Sequence, residues 1–280
     1  MPHKTGLAAR PCQAMHITPL THPDLAALPA LQPPDWSDVV PYFSEYINSD
    51  FCYPVKVVSE SEIVGAGTTI VHGADAWLAH IIVHPEQRNK GIGRHLTQAL
   101  LQSAQAQQCQ RIYLIATDLG APVYEKLGFI TETNYLFYKN CTPNSSWEIS
   151  RDIKPFTEKY STQIAQIDKQ VSGEDRFFHL RKYLSTGFVF VCNDTVEGFY
   201  LPDFGDGVIL AITETAGTEL MQLRLKTKNI ACFPEENIAA KNLLQQLNCA
   251  PYKTAKRMRL GRPKIWAPQH IYNRIGGNLG

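Results

Sequence analysis

The sequence predicts an α+β protein built as two halves of similar design, each a mixed, mostly antiparallel sheet flanked by helices. Strand-type runs come first, at Tyr53 to Val58, Ile63 to Val71 and Trp77 to Val83, separated by short polar or Gly-containing turns as in an antiparallel meander. From His84 onward, strand and helix patterns alternate. After the polar, Pro-containing stretch Asn140 to Ser146, the second half repeats the order in a looser form.

Each element has a local cause. Residues 1 to 14 carry no period and are expected to be a flexible extension. His16 to Leu20 is strand-like, and Asp24 to Leu31 suits a short helix stopped by Pro33-Pro34. Ser37 or Asp38 is placed to cap a helix with Val39, Val40, Phe43, Tyr46 and Ile47 at helical spacing. Beyond the meander, Ile92, Leu96, Ala99, Leu100 and Ser103 share one helical face. Arg111 to Ala116 reads as a strand, Ala121 to Leu127 as a helix closed by Gly128, and Tyr135 to Tyr138 as a strand. In the second half, helices are predicted at Tyr160 to Val171, Arg176 to Leu184 (capped by Asp175), Thr218 to Leu225 and Ile238 to Leu247. Strands are predicted at Phe188 to Cys192, Val196 to Leu201, Val208 to Thr213, Asn229 to Phe233 and Tyr252 to Leu260, with an Asn193-Asp194 turn joining the first pair. A shift of about 120 residues lays Gln110-to-Phe129 on Ile230-to-Cys249, strand-turn-helix on strand-turn-helix, as expected of a diverged internal duplication. The boundaries are drawn at 15 to 142, a linker at 143 to 150, and 151 to 280.

Composition narrows the function. The 280 residues are enough for two domains of about 130 residues each. Lys plus Arg number 27 against 26 Asp plus Glu, so no general nucleic-acid or membrane-surface binder is expected. No apolar run approaches the roughly 18 residues of a membrane span, and the start Met1-Pro-His-Lys-Thr-Gly lacks a signal peptide's apolar core. Seven scattered cysteines, none in a C-x-x-C spacing, read as reduced thiols of a cytoplasmic protein. No Cys/His pairs sit at zinc spacing, so no metal is expected.

The chemistry concentrates at Val83-His84-Pro85-Glu86-Gln87-Arg88-Asn89-Lys90-Gly91-Ile92-Gly93-Arg94. A strand ends, Pro85 breaks it, and Arg88-x-x-Gly91-x-Gly93 opens a helix. Glycines allow close backbone approach to an anion, and the first helical amides are unpaired and partially positive. Arg88, Lys90 and Arg94 add charge suited to a pyrophosphate. The G-x-x-x-x-G-K-[ST] phosphate loop is absent, and the turn follows a meander rather than opening a dinucleotide-binding βαβ unit. An ordinary strand-to-helix turn is the structural alternative.

Downstream lies Thr117-Asp-Leu-Gly-Ala-Pro-Val-Tyr124-Glu-Lys-Leu-Gly128-Phe129. Together the two segments resemble the GNAT superfamily of acetyl-CoA-dependent N-acetyltransferases, over roughly Met15 to Tyr138. The first resembles its [RQ]-x-x-G-x-[GA] pyrophosphate loop and the second its Y-E-K-x-G-F segment. The resemblance implies a sheet that splays where Trp77-to-Val83 parts from Arg111-to-Ala116, with pantetheine pairing near Ile82 and Val83. It implies that Arg88, Asn89, Lys90, Gly91, Ile92, Gly93 and Arg94 take the pyrophosphate, and that Tyr124 protonates the departing thiolate; a core aromatic is the alternative for Tyr124. Acetyl-CoA is then the co-substrate, and a small-molecule or peptide amine the acceptor.

The sequence departs from the family in two places. Thr117 stands where an Asn often contacts pantetheine, so Thr117 or Asp118 must substitute. The strand before the loop carries no carboxylate to act as base, and its titratable group is His80, which fits either a general base or a hydrogen-bonded structural histidine. Trp36, Tyr42, Phe43, Tyr46, Phe51 and Tyr53 fall where the family places its acceptor-side helices, as core or as pocket lining. The second half lacks R-x-x-G-x-G and sets Leu244 against Tyr124, although Asn237 matches the family's Asn. It resembles the degenerate second domain of bacterial tandem GNAT proteins, without a cofactor site. Asp175-Arg176 and the basic run Lys253 to Arg262 read as surface or interdomain ion pairs, or as substrate ligands.

Overall fold

The computed structural model describes residues 15–34, 36–142 and 147–280. Residues 1 to 14 and most of the Asn140-to-Ser146 linker, on which two sequence expectations fall, lie outside the described residues. In chain order the first half carries β1 (Met15–Pro19), α1 (Val40–Ile47), β2 (Cys52–Ser59), β3 (Glu62–His72), β4 (Asp75–Val83), α2 (Ile92–Ala106), β5 (Arg111–Ala116), α3 (Ala121–Glu125) and β6 (Ile130–Tyr138). The second half carries β7 (Ile153–Pro155), α4 (Ser161–Ser172), α5 (Phe177–Leu180), β8 (Phe188–Cys192), β9 (Thr195–Leu201) and β10 (Val208–Ala211). It continues with α6 (Glu214–Leu225), β11 (Ala231–Pro234), α7 (Ile238–Gln246), β12 (Pro251–Gly261) and β13 (Ile271–Asn273). The α+β class holds.

The chain forms two compact units. The first contains the described residues up to Thr68 together with His80–Leu100. Here β1 pairs antiparallel with β2, Met15 opposite Ser59 through Pro19 opposite Val55. β2, β3 and β4 are successive neighbours. Phe43 and Tyr46 form the buried face of α1, and Val57, Val64, Ile82, Ile92 and Leu96 complete the core. Gly65 lets β4 and Gly67 lets α2 approach β3 closely: a Cβ at Gly65 would stand 3.2 Å from the Ile82 carbonyl oxygen, and one at Gly67 would stand 3.0 Å from Leu100.

The second unit contains Thr69–Ala79 and Leu101–Gly280. β5 pairs parallel with β4 and antiparallel with β12, β12 pairs antiparallel with β6, and β6 with β11. A strand from near the end of the chain thus lies between two strands of the first half, which no local pattern predicts. A second sheet runs β13-β10-β9-β8-β7, all antiparallel. Its core holds Phe190, Ile209, Leu220, Phe233 and Leu244, each Leu-sized side chain contributing about 1.5–3 kcal/mol on burial.

Some details differ from the sequence expectations. The short helix expected at Asp24 to Leu31 spans His22–Ala30 and is of 3-10 type, with Thr21 and Asp24 forming a capping box at its start. The N-cap of α1 is Val39, with Asp38 accepting from the Val40 amide instead. Asp175 caps nothing: α5 begins after Arg176, and Asp175 is exposed, 3.6 Å from Lys169. Cys141 and Cys249 form a disulfide, which corrects the expectation of reduced thiols throughout. They are 108 residues apart and their Cα atoms lie 5.4 Å apart, a proximity that only β6–β12 pairing creates. Cys52, Cys109, Cys192 and Cys232 are free. The Asn193-Asp194 turn is as expected, with φ of 47° and 60°.

Candidate active site

The Arg88–Arg94 turn lies in the first unit. His84 caps a short 3-10 turn, its Nδ1 accepting from the Glu86 amide, so it serves the loop's shape. Asn89 and Gly91 adopt left-handed backbone, φ 62° and 83°, just before α2 begins at Ile92. Backbone of this kind turns successive amides toward one side, an anion-binding concavity. An added Cβ at Gly91 would meet nothing within 4 Å, so the space over the turn is open. Asn89, Lys90, Gly91 and Arg94 are exposed, Gly93 is half-buried, and Ile92 anchors the helix in the core. Arg88 is partly engaged: its Nε donates to the Val83 carbonyl at 3.2 Å, tying turn to strand end. Lys90 Nζ donates to Gln87 Oε1 at 2.8 Å. Open amides, exposed cations and room for an anion fit a pyrophosphate.

His80, in the same unit, has φ 47° within β4, unusual for a residue with a Cβ and a cost of about 1–3 kcal/mol. Its ring lies among Tyr42 (4.9 Å between centroids), Tyr46 (5.7 Å), Phe43 (5.9 Å) and Trp36 (6.1 Å). The Tyr46 hydroxyl and His80 Nδ1 are hydrogen-bonded at 2.9 Å. Among the described residues Nε2 has no partner. Desolvation by these rings lowers the imidazole pKa to about 4, so His80 is neutral at pH 7. Phe43 and Tyr46 are core, whereas Trp36, Tyr42 and His80 are half-buried.

In the second unit, the β4–β5 register runs Asp75 opposite Arg111, Ala76 opposite Ile112 and Trp77 opposite Tyr113, and ends there. β5 nevertheless continues to Ala116 on its other edge, paired with Lys256 of β12. The paired register of the two strands therefore ends at Trp77 and Tyr113. Half-buried Thr117 follows β5, its carbonyl accepting from the Gly120 and Ala121 amides to start α3. Tyr124 is 9% exposed, edge-on to Phe129 at 6.0 Å and lying over Gly120. Its hydroxyl has no hydrogen-bond partner among the described residues, and burial raises its pKa well above the ordinary phenol value. Gly128 closes the segment at φ 90°.

In the second half, the space between β10 and β11 is filled by β13. β13 pairs with β10 on one side. On the other, the Cys232 amide donates to Asn273 Oδ1 and the Arg274 amide donates to the Cys232 carbonyl, joining β13 to β11. Asn237, matched to the family's ligand-contacting Asn, caps α7 and donates its Nδ2 to the Ile271 carbonyl at 3.0 Å. A Cβ at Gly217, in the first turn of α6, would overlap the Tyr272 ring, and the Thr213 hydroxyl accepts from the Ala216 amide.

A buried charge cluster escapes sequence reasoning. Glu174 Oε2 accepts from His72 Nε2 at 2.7 Å and Trp77 Nε1 at 2.9 Å, and Arg257 lies 3.7 Å from Oε1. Burial alone would raise the Glu174 pKa, but His72, Arg176 and Arg257 hold it far below the carboxylate range. Arg257 and Arg259 bind Glu132, and Arg176 binds Asp168 and the Leu279 carbonyl. Arg257 and Arg259 thus pair residues of the two halves, as one of the expected roles has it, but in the interior rather than at the surface, and Arg176 is likewise interior, because pairing with buried carboxylates repays desolvation. The Arg257 guanidinium also lies over Trp266 at 3.9 Å. Among the described residues no group of His, Cys, Asp and Glu side chains is placed to hold a metal, and no helix is long and apolar enough to cross a membrane.

Comparison with known proteins gives a consistent picture. Residues 22–129 match the family model "Acetyltransferase (GNAT) family". No protein of curated function matches the sequence. A solved protein from Pyrococcus horikoshii assigned as an acetyltransferase shares 20% identity over 99% of both chains, with a TM-score of 0.82. A GCN5-related N-acetyltransferase from Sphaerobacter thermophilus shares 14% identity over 91% of this chain and 98% of its own, at TM-score 0.62. A tandem GNAT protein from the clavulanic acid biosynthesis pathway shares 14% over 90% and 100%, at TM-score 0.58. At these identities the structural likeness establishes the fold, and the family model bears on residues 22–129.

Proposed function

We propose, from the premise that this chain carries a domain of the acetyltransferase (GNAT) family over residues 22–129, that it transfers the acetyl group of acetyl-CoA to a primary amine by direct attack. The observation that carries this is the open Arg88–Gly93 turn, with Gly91 at φ 83° and exposed cations beside it. Acetyl-CoA supplies an activated thioester, so no covalent enzyme intermediate is needed.

Each candidate residue then has a stated task. The amides of Asn89 to Gly93 and the side chains of Lys90 and Arg94 hold the pyrophosphate, with Arg88 bracing the turn through Val83. Backbone groups of Ile82 and Val83 and the half-exposed Thr117 hold pantetheine. The Tyr124 hydroxyl gives its proton to the departing thiolate, for which its unengaged O–H is suited. His80 Nε2 takes the amine proton as the C–N bond forms. Its low pKa means that it holds that proton only briefly before passing it to water. The residues divide as 15 to 142, catalytic, and 151 to 280, without a cofactor site, joined by 143 to 150. The filling of the space between β10 and β11 by β13 supports the second assignment. The acceptor is a small molecule or peptide rather than a nucleic acid or membrane, and the setting is cytoplasmic.

A non-catalytic acyl-CoA sensor is the second reading, favoured by the lack of a carboxylate on β4 beyond Asp75; a different acyl donor is a variant of the first. Calorimetry with acetyl-CoA, followed by CoA-release assays over a panel of amines, decides between them. One site per chain and acceptor-dependent release are expected. Binding without release on any amine selects the sensor, and absence of binding removes both.

A further inference from the structure

The surroundings of His80 define what kind of amine this site can use, given the acetyltransferase reading on which this rests. Tyr42 and Trp36 place half-buried rings beside the imidazole, and Tyr46 and Phe43 floor it from the core. Nδ1 is engaged with the Tyr46 hydroxyl, and among the described residues the imidazole Nε2 is left open to a ligand. The charged groups on the packed elements are Glu45 on α1 and Asp38 before it; both are exposed, and desolvation is the sole influence resolved on the imidazole. β4 adds no charge between Trp77 and Val83. Among the described residues of α1 and of β4 from Trp77 to Val83, an alkylammonium entering here would shed water without meeting a buried anion. The attraction of a cation to ring faces is small beside that desolvation cost. A neutral amine meets no such obstacle.

We propose that Trp36, Tyr42, Tyr46 and His80 seat the acceptor amine and select weakly basic primary amines, such as the α-amine of an amino-acid amide, over strongly basic alkylamines such as a lysine ε-amine. The reaction balances without an anionic base. The neutral amine's lone pair forms the C–N bond as the C–S bond breaks, one amine proton passes to Nε2 and on to water, and Tyr124 protonates the sulfur and regains its own proton from water. At pH 7 roughly a tenth of an α-amine of pKa about 7.8 is neutral, against roughly one part in 2,500 for an ε-type amine of pKa about 10.4. The greater nucleophilicity of the stronger base offsets part of that ratio, so a preference of roughly ten- to hundredfold remains.

The test compares phenylalaninamide with phenethylamine, which share a ring and differ in amine basicity. In the intact protein, kcat/KM for CoA release at pH 7 should favour phenylalaninamide at least about tenfold, and the preference should shrink as pH rises to about 9.5. Equal or better use of phenethylamine at pH 7, or a preference unchanged with pH, overturns the proposal. Tyr42→Leu should raise KM for phenylalaninamide at least threefold with acetyl-CoA affinity unchanged; an unchanged KM overturns the seat. Should Tyr42→Leu fail to fold, the two-amine comparison in the unmodified protein stands alone as the test. Release with neither amine despite acetyl-CoA binding also overturns the seat, whereas failure to bind acetyl-CoA overturns the acetyltransferase reading itself.

Discussion

Gly91→Glu separates the phosphate turn from the fold that carries it. Gly91 has φ 83°, so any side chain is strained there, by about 1–2 kcal/mol. Its Cβ would meet nothing within 4 Å, so no clash adds to that strain. The midpoint of thermal unfolding should therefore fall by only about 2–8 °C for a unit of this size. A carboxylate about 4 Å from one phosphate charge is repelled by about 1 kcal/mol in water and about 4 kcal/mol at an effective dielectric of 20. The turn is exposed, so the lower figure applies, and the two charges of a pyrophosphate make it about 2 kcal/mol, or roughly 30-fold in Kd. Gly91→Ala carries the strain without the charge and should weaken binding by less than about tenfold. Calorimetry with acetyl-CoA and a melting curve on the same samples provide both readouts. An intact fold with unchanged Kd for Gly91→Glu would refute the phosphate assignment.

Tyr124→Phe keeps the packing on Phe129 and removes only the hydroxyl, so kcat should drop by about 10²–10⁴ with acetyl-CoA Kd unchanged; full turnover would return Tyr124 to the core. Glu174→Gln leaves the buried cations Arg257 and Arg176 less compensated and should cost about 3 kcal/mol in urea unfolding, and a loss below about 0.5 kcal/mol would contradict the cluster's role. Because the folded Glu174 pKa is depressed, its contribution is present above the unfolded value near 4.3 and is lost as pH falls through that value toward the folded one. The Gln variant should therefore lose less stability than the unmodified protein between about pH 5 and pH 3. Cys141→Ser opens a loop spanning 108 residues and should lower stability by about 2–5 kcal/mol, matched by reductant on the unmodified protein. A variant that remains as sensitive to reductant as the unmodified protein would show that the bond does not contribute. Tyr272→Ala should loosen β13 against α6, read as faster amide exchange at Ile271–Asn273, without creating a second acetyl-CoA site.

Local chemistry made much of this protein legible. Alternation and turn residues placed β2, β3 and β4, and Gly128 and Asn193-Asp194 adopted the left-handed backbone their residue types favour. The roughly 120-residue repeat set β5 and α3 against β11 and α7, which are indeed strand-turn-helix units. The Arg88–Gly93 turn was readable because an anion site at a helix start is encoded by consecutive residues. Tertiary structure decided the rest. Neither the position of β12 between β5 and β6 nor the Cys141–Cys249 bond leaves a trace in periodicity, which reports which face a residue takes but not which distant strand meets it. The environment of His80 was equally hidden. A histidine in a strand reads as a base or as a structural group, and only the rings that surround it in three dimensions remove enough water to hold it neutral. Glu174 meets His72 and Trp77 across about a hundred residues, because burying a carboxylate is tolerable only where donors and cations converge, and convergence is a property of the fold.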